Sequence, residues 1–144
     1  MRSAVLDTSV LIKWVHREHE ENINEALLLR KAFLYGKLEI IIPDLAIYEF
    51  SNFLRFKSGL PAALMQRLLD DVWSLGLSIF PVDRELSQLA LHFASLYGLT
   101  VYDGAFVALS SFLETTLVTA DRQLHAGVSG KEAVMLLAEL GSGS

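Results

Sequence analysis

The segment 99–110 constrains the fold most, because it predicts a helix that is apolar on every side. With about 100° of rotation per residue counted from Asp103, Phe106, Val107 and Leu109 point in three different directions. A helix that is apolar all round lies inside a protein rather than on its surface. Asp103 therefore stands at the mouth of the core, where an unpaired charge is costly. Aspartate is also a preferred N-cap residue, so helix capping is the structural alternative to a functional role.

Length and composition predict one soluble domain. A chain of 144 residues is long enough to bury about 68–70% of its unfolded surface. Hydrophobic residues make up 52% of it, yet no apolar run approaches the ~18 residues that cross a membrane. Residues 1–3 lead directly into a strand-like run, without a signal peptide. The absence of cysteine excludes disulfides and thiolate metal sites. We expect a cytoplasmic protein with no membrane partner.

The charge balance restricts the function classes. A net charge of -5 gives no general basic surface for nucleic acid, which argues against a binding module that relies on Lys and Arg alone. The negative charge is compatible with an acidic site that binds metal ions, which in turn bind the phosphate of a substrate. The mean hydropathy of +0.39 is high for a small monomer and predicts an oligomer or partner interface. The helices at 45–57 and 61–75 are the candidates, with four apolar anchors: Leu60, Leu64, Met65 and Leu68.

Short apolar strands alternate with helices along the chain. The predicted strands are 4–6, 39–42, 77–80, 116–119 and an edge strand at 133–137. The predicted helices are 10–14, 22–35, 45–57, 61–73, 84–97, 103–113 and 122–126. This alternation indicates an α/β domain over residues 1–140, with a central, mainly parallel sheet of four to five strands that helices cover on both faces. We expect residues 141–144 to form a flexible Gly/Ser tail.

Acidic side chains follow two of the strands and occupy two of the helices. Asp7 follows the first strand and Asp121 follows the strand at 116–119, so both are expected at the carboxyl edge of the sheet, where ligands bind in such folds. Glu49 falls within an apolar arc of its helix, between Phe53 and Phe56, and a buried glutamate is rare unless it is paired or bound to a metal.

One site explains these positions together, whereas capping must explain each acid separately. Asp7, Glu49, Asp103 and Asp121 would offer oxygen ligands without any His or Cys, a set that suits Mg²⁺ or Mn²⁺. With a phosphodiester substrate, two such ions can activate water and stabilise the leaving oxygen.

Four blocks resemble the successive motifs of a PIN domain, and most closely a VapC-like toxin ribonuclease. They are Val5-Leu-Asp7-Thr-Ser9, Pro43-Asp-Leu-Ala-Ile-Tyr-Glu49-Phe-Ser-Asn52, Thr100-Val-Tyr-Asp103-Gly-Ala-Phe-Val-Ala-Leu109 and Leu117-Val-Thr-Ala-Asp121-Arg-Gln-Leu124. The resemblance implies a three-layer α/β/α fold, an Mg²⁺- or Mn²⁺-dependent RNA endonuclease, homodimerisation, and inhibition by a cognate antitoxin. Gly104 departs from the usual alanine, and glycine is expected to loosen the helix start by up to ~1 kcal/mol.

The resemblance and the chemistry together assign roles. Asp7, Glu49 and Asp103 would hold the principal metal, and Asp121 would hold the same ion or a second one. The hydroxyl of Thr119, two residues before the last acid, would bond to a carboxylate or to metal-bound water. Thr8 and Ser9 are weaker candidates for the same task.

Three cations near the motifs are candidates for contact with RNA phosphate, with solvated surface as the alternative: Lys13, Arg55 and Arg122. His16 and His19 fall in a charge run that is expected to be solvated rather than to bind metal. His92 and His125 are expected on the surface. Asn52, one helical turn from Glu49, is expected to be exposed, with a place in the same cleft as the alternative.

Two alternative functions remain at the level of the sequence. An acidic-pocket phosphatase needs a second aspartate two residues after the first, and Ser9 occupies that position. A catalytically silent PIN-like scaffold for protein binding would be expected to lose some of the four acids, all of which are present.

Overall fold

The strands are short and apolar, and they form one parallel sheet. In a computed structural model, which describes residues 1–142, the strands are β1 (Ser3–Leu6), β2 (Glu39–Pro43), β3 (Ser78–Phe80), β4 (Thr116–Thr119) and β5 (Val134–Leu136). Their order is β3-β2-β1-β4-β5, and every neighbouring pair is parallel. The prediction of a mainly parallel sheet of four to five strands with an edge strand near the C-terminus is confirmed.

Helices connect the strands and cover both faces, which gives a three-layer α/β/α fold. They are α1 (Thr8–Ile12), α2 (Ile23–Leu34), α3 (Leu45–Phe56), α4 (Ala62–Ser74), α5 (Arg84–Tyr97), α6 (Val101–Phe112), α7 (Arg122–Val128) and α8 (Glu139–Ser142). Of the expected tail, Gly141 and Ser142 belong to α8, and residues 143–144 lie outside the described residues. In the described part of the chain no single helix is long and apolar enough to cross a membrane. Only α5 and α6 together reach that length, and they are bent by 113°.

Strand β1 lies at the centre of the sheet, and its side chains are part of the hydrophobic core. Val5 is in register with Ile41 on one side and with Leu117 on the other. Ala4, Val5 and Leu6 are fully buried, as expected for a parallel strand with helices on both faces. The carboxyl ends of β1 and β4 therefore meet at one edge of the sheet, and the residues that follow them are neighbours.

Helix α6 is buried through its middle and exposed at its ends. The run Phe106–Ser110 is buried on all sides because α6 packs against β1, β2, β4 and α5. Val101, Tyr102 and Phe112 are exposed. The prediction of an all-round buried helix is right for the run Phe106–Ser110 and wrong for the two ends.

Gly104 allows α6 to approach α5 closely. A Cβ atom at this position would lie 2.5 Å from the carbonyl oxygen of Ala90 and 3.3 Å from the Cβ of Ala94. Because no side chain fits this contact, glycine is required for helix packing here. Gly104 thus has a packing role that the expectation of a loosened helix start did not include.

Candidate metal and RNA site

Four carboxylates line one open cleft at the carboxyl edge of the sheet. Asp7 follows β1, Asp121 follows β4, and α3 and α6 contribute Glu49 and Asp103. The cleft has a volume of about 310 Å³. Its remaining walls are formed by Thr8, Ser9, Ile12, Asn52, Phe53 and Lys57. The structure thus brings together all four acids that the sequence singled out.

Asp7 is the most buried of the four, with 7% of its surface exposed. Its Oδ2 accepts hydrogen bonds from Ser9 Oγ at 2.6 Å and from Thr119 Oγ1 at 2.8 Å. Burial raises the pKa of Asp7 above its ordinary value, the two hydroxyl donors oppose that shift, and the charge of Asp121 adds to it. The carboxylate is therefore fixed in orientation and is costly to ionise without a cation.

Thr119 connects two of the acids. Its fully buried hydroxyl donates to Asp7 and accepts from the backbone N–H of Asp121 at 3.0 Å. Ser9 makes a parallel connection, because its Oγ accepts from the backbone N–H of Ala120 at 3.1 Å. These bonds join the start of α1 to the end of β4. Thr119 and Ser9 thus lie where hydroxyl groups behind the carboxylates were predicted.

Glu49 is held by a hydroxyl from the neighbouring helix. Thr8 Oγ1 donates to Glu49 Oε1 at 2.7 Å, which links α1 to α3. Burial raises the pKa of Glu49, the Thr8 bond lowers it, and the charges of Asp7 and Asp103 raise it again. The predicted apolar arc was wrong at one edge, because Phe56 is 69% exposed. Glu49 is half-buried at the margin of the buried face, where it reaches the cleft.

Asp103 is not the N-cap of its helix. Thr100 occupies that position, and its Oγ1 accepts from the backbone N–H of Asp103 at 3.1 Å. The Asp103 side chain is half-buried, and its pKa is raised first by burial and then by the charges of Asp7 and Asp121, against a lowering bond from Thr100. The capping explanation is therefore wrong for Asp103.

Capping is correct for Asp121. Its Oδ1 accepts from the backbone N–H groups of Gln123 at 2.9 Å and Leu124 at 3.2 Å at the start of α7. Both bonds use the same oxygen, so capping does not occupy Oδ2. Asp7 precedes α1 at the N-cap position, but its carboxylate makes no capping bond and faces Ser9 and Thr119 instead.

The chemistry of these residues fits a hard divalent cation, although their side chains are not arranged as a complete set of metal ligands. The acids of the cleft offer only oxygen donors for such an ion, and the charges of Asp7, Asp103 and Asp121 each raise the pKa of another acid in the cleft. Within residues 1–142, no three His, Cys, Asp or Glu side chains stand as a formed metal-ligand set. A single cation would therefore bind some of these carboxylates through water, or would require their side chains to move closer together.

None of the three predicted RNA contacts lines the cleft, and the prediction is wrong for Lys13. Lys13 is buried, and its Nζ pairs with Glu20 Oε1 at 2.9 Å, so it is not available to a substrate. The Arg55 guanidinium lies 4.7 Å from the centre of the Phe56 ring, on a surface outside the cleft. Arg122 is exposed at the start of α7 beside Asp121, but it does not line the cleft.

The sequence interpretation missed Lys57 and Phe53, which both line the cleft. The signal was present, because Phe53 and Lys57 follow Glu49 by four and eight residues and so share its side of the helix. Asn52 is exposed, as expected, and it also lines the cleft.

The histidines are only partly as expected. His19 and His92 are exposed, as predicted. His16 is only partly exposed, because its ring packs edge-on against Phe53, and its buried Nδ1 has no hydrogen-bond partner among the described residues. His125 is mostly buried, with its Nε2 3.4 Å from Glu139 Oε1.

One family model and several solved structures match most of this chain. The family model described as "PIN domain" matches residues 4–128. A comparison with proteins of curated function finds no match.

Among solved structures, a toxin-antitoxin complex from Klebsiella pneumoniae contains a chain with 15% identity and a TM-score of 0.68, over 93% of this chain and 97% of that one. PAE2754 from Pyrobaculum aerophilum is 24% identical with a TM-score of 0.67, over 98% and 96% of the two chains. VapBC2 from Rickettsia felis, bound to a DNA fragment from its promoter, gives 16% identity and a TM-score of 0.66, over 93% and 98%. At these identities the likeness shows a shared fold.

Proposed function

The chain belongs to the PIN-domain family, and from this premise we propose that it is a metal-dependent RNA endonuclease, the toxin of a type II toxin–antitoxin pair. The observation that carries the proposal is the cleft that Asp7, Glu49, Asp103 and Asp121 share. The toxin role is supported by the likeness of the chain to solved structures that include a toxin-antitoxin complex and VapBC2. A cognate antitoxin is accordingly the partner that we propose.

Asp7, Glu49 and Asp103 are the proposed ligands of the principal Mg²⁺ or Mn²⁺ ion. Asp121 would serve the same ion or a second one through the oxygen that does not cap α7. Divalent ions held by carboxylates in this way supply an activated water and stabilise the leaving oxygen of a phosphodiester.

The remaining residues of the cleft keep the carboxylates in place. Ser9 and Thr119 hold Asp7 by its Oδ2, and Thr8 holds Glu49 by its Oε1. Because a metal ligand must be deprotonated, these donors also oppose the rise in the pKa of Asp7 and Glu49 that burial causes. They therefore favour the ionised carboxylates that a cation requires.

The test is cleavage of total cellular RNA by the purified protein in Mg²⁺, in Mn²⁺ and in EDTA, with sequencing of the new 5′ ends. We expect discrete cleavage sites in either metal and none in EDTA. The variant Asp7→Asn should lose at least 100-fold in rate, since removing supporting groups alone typically costs 10–100-fold. Asp83→Asn is the matched control, because Asp83 caps α5 outside the cleft. Cleavage that persists in EDTA or in Asp7→Asn would exclude the proposed mechanism.

A further inference from the structure

Lys57 is the only cationic side chain that lines the cleft in the part of the chain that the structure describes. It is exposed at the C-terminal end of α3, eight residues after Glu49. At 1.5 Å rise per residue, this separation corresponds to about 12 Å along the helix axis. The cleft therefore has an acidic end at the sheet edge and a single positive charge at the other end of the α3 wall.

The ammonium group of Lys57 forms no ion pair with an acid among the described residues. The ion pairs among residues 1–142 join Lys13 to Glu20, His19 to Glu18 and His125 to Glu139. The wall between Glu49 and Lys57 consists of Asn52 and Phe53, which carry no charge. Lys57 is exposed and lines the cleft without an ion pair among residues 1–142, so its charge is available to an anion that enters the cleft.

We propose that Lys57 binds a phosphate of the RNA strand at a distance from the phosphate that is cleaved, and so positions the strand in the cleft. This inference rests on the proposed nuclease function. An RNA strand lying along α3 would contact a cation at each end of this wall. These cations would be the metal ion at the carboxylates and the ammonium group of Lys57. Lys57 is then a positioning residue, and it determines how the strand is held rather than how the bond is broken.

The contact between Lys57 and RNA phosphate matters because the chain as a whole is negatively charged. At -5 the protein has no general basic surface to attract RNA. Lys13 is buried with Glu20 and Arg55 lies on another surface, so neither replaces Lys57. Loss of the Lys57 charge should therefore weaken RNA binding for all sequences and reduce the salt dependence by one phosphate contact.

The test measures binding of a fluorescently labelled single-stranded RNA by anisotropy over a range of salt concentrations in Mn²⁺. All proteins carry Asp7→Asn so that the RNA stays intact. The variants are Lys57→Gln, which removes the charge, and Lys57→Arg, which keeps it. Lys37→Gln is the control, because Lys37 is an exposed lysine just before β2, at the opposite edge of the sheet, and its loss changes the net charge equally.

We expect Lys57→Gln to raise Kd by roughly tenfold at low salt and to reduce the slope of log Kd against log salt concentration by about 0.7. Lys57→Arg and Lys37→Gln should match the parent protein. Equal slopes for Lys57→Gln and Lys37→Gln, or no RNA binding by the parent, would overturn the inference. EDTA-sensitive cleavage by the protein with Asp7 intact tests the nuclease function separately, so the two proposals can fail independently.

Discussion

The hydroxyl of Thr119 links two of the acids in the cleft through hydrogen bonds. It donates to Asp7 and accepts from the backbone of Asp121, and it is fully buried. Replacing it with an apolar group of the same shape would leave a buried carboxylate with one donor fewer and a backbone N–H without its acceptor. Such losses cost about 1–3 kcal/mol when the remaining partner stays buried.

We therefore expect Thr119→Val to lower the Tm by several degrees, at roughly 2–4 °C per kcal/mol for a chain of this size. In the wild type the Thr119 hydroxyl lowers the pKa of Asp7. Without this hydroxyl the pKa of Asp7 should be higher, so stabilisation by Mn²⁺ should begin at a higher pH than in the wild type. Melting curves with and without Mn²⁺ between pH 5 and pH 8 provide the measurement. Thr119→Ser keeps the hydroxyl and should behave like wild type. An unchanged pH dependence in Thr119→Val would show that the hydroxyl does not support the cation site.

Individual acids could be located from the sequence because local patterns mark their positions. Asp7 and Asp121 directly follow apolar strands, and parallel strands bring their carboxyl ends to one edge. The surroundings of Lys13 could not be predicted in this way. Lys13 is buried because the chain folds back and brings Glu20 to it, an outcome that depends on tertiary placement. For Lys57 the helical spacing from Glu49 was a usable signal, and the structure shows that α3 extends far enough for Lys57 to line the cleft.

At the level of elements, α5 and α6 pack closely against each other. Gly104 makes this contact possible, because a Cβ there would meet the Ala90 carbonyl oxygen at 2.5 Å. Helix propensity alone predicts that alanine gains up to about 1 kcal/mol over glycine. Overpacking a close contact typically costs about 1–3 kcal/mol, so the clash is the larger effect.

Gly104→Ala is therefore expected to lower the Tm rather than raise it, and to weaken Mn²⁺ stabilisation because Asp103 is the preceding residue. Gly127→Ala in α7 is the control, since a Cβ there would meet only Leu99 Cδ2 at an ordinary 3.4 Å. It should be neutral or stabilising. Denaturant unfolding of the two variants beside wild type gives the comparison. A Gly104→Ala protein as stable as Gly127→Ala would mean that α6 does not pack this closely.

The periodicity of α3 illustrates what a helical pattern can and cannot establish. It placed Glu49 near the apolar side, and the buried residues of the helix are Ala46, Phe50 and Leu54. It did not show where the buried face ends, because that boundary depends on which neighbours cover the helix. Phe56 is apolar but uncovered, so the predicted arc was too wide on that side.

At the level of the whole molecule, several large apolar side chains remain exposed on the two helices that were predicted to form an interface. Tyr48 and Phe56 on α3 are 81% and 69% exposed, and Trp73 on α4 is 54% exposed. Of the predicted anchors, Met65 and Leu68 pack against the protein's own core. The exposed aromatic residues are the better contacts for a partner.

We expect a homodimer or larger assembly in solution. Light scattering at micromolar concentration should give at least twice the 16.0 kDa mass of the chain. A change of Tyr48 and Trp73 to serine should shift the mass towards the monomer if these side chains form the contact. A single 16.0 kDa species for the wild type would contradict the prediction.

The order of the strands was beyond the reach of sequence reasoning. Alternation of strands and helices predicted a parallel sheet, and the short segments were located well, but nothing local determines that β1 lies between β2 and β4. That order is what places Asp7 beside Thr119 and Asp121. The positions of the acids in the chain could be predicted, whereas the hydrogen bonds among them required the structure.

The pKa directions imply a pH dependence of stability for the metal-free protein. Burial and like charges raise the pKa of Asp7, Glu49 and Asp103 above their ordinary values. The folded state therefore binds protons more tightly than the unfolded state at these groups. Their contribution to the free energy of unfolding falls as the pH rises from the unfolded pKa through the folded pKa, and the penalty is complete above it. A bound cation should remove most of that penalty.

The most direct test of the shared cation site is the melting of wild type, Asp103→Asn and Asp83→Asn in EDTA and in millimolar Mn²⁺ at neutral pH. In EDTA, Asp103→Asn should be as stable as wild type or more so. A gain of ~1 kcal/mol would correspond to about 2–4 °C. That gain should shrink as the pH falls, because the wild-type carboxylate then becomes protonated. Mn²⁺ should stabilise wild type and Asp83→Asn alike, and Asp103→Asn much less. If Asp103→Asn instead melts several degrees lower in EDTA and responds to Mn²⁺ like wild type, Asp103 is structural and the four carboxylates do not form one cation site.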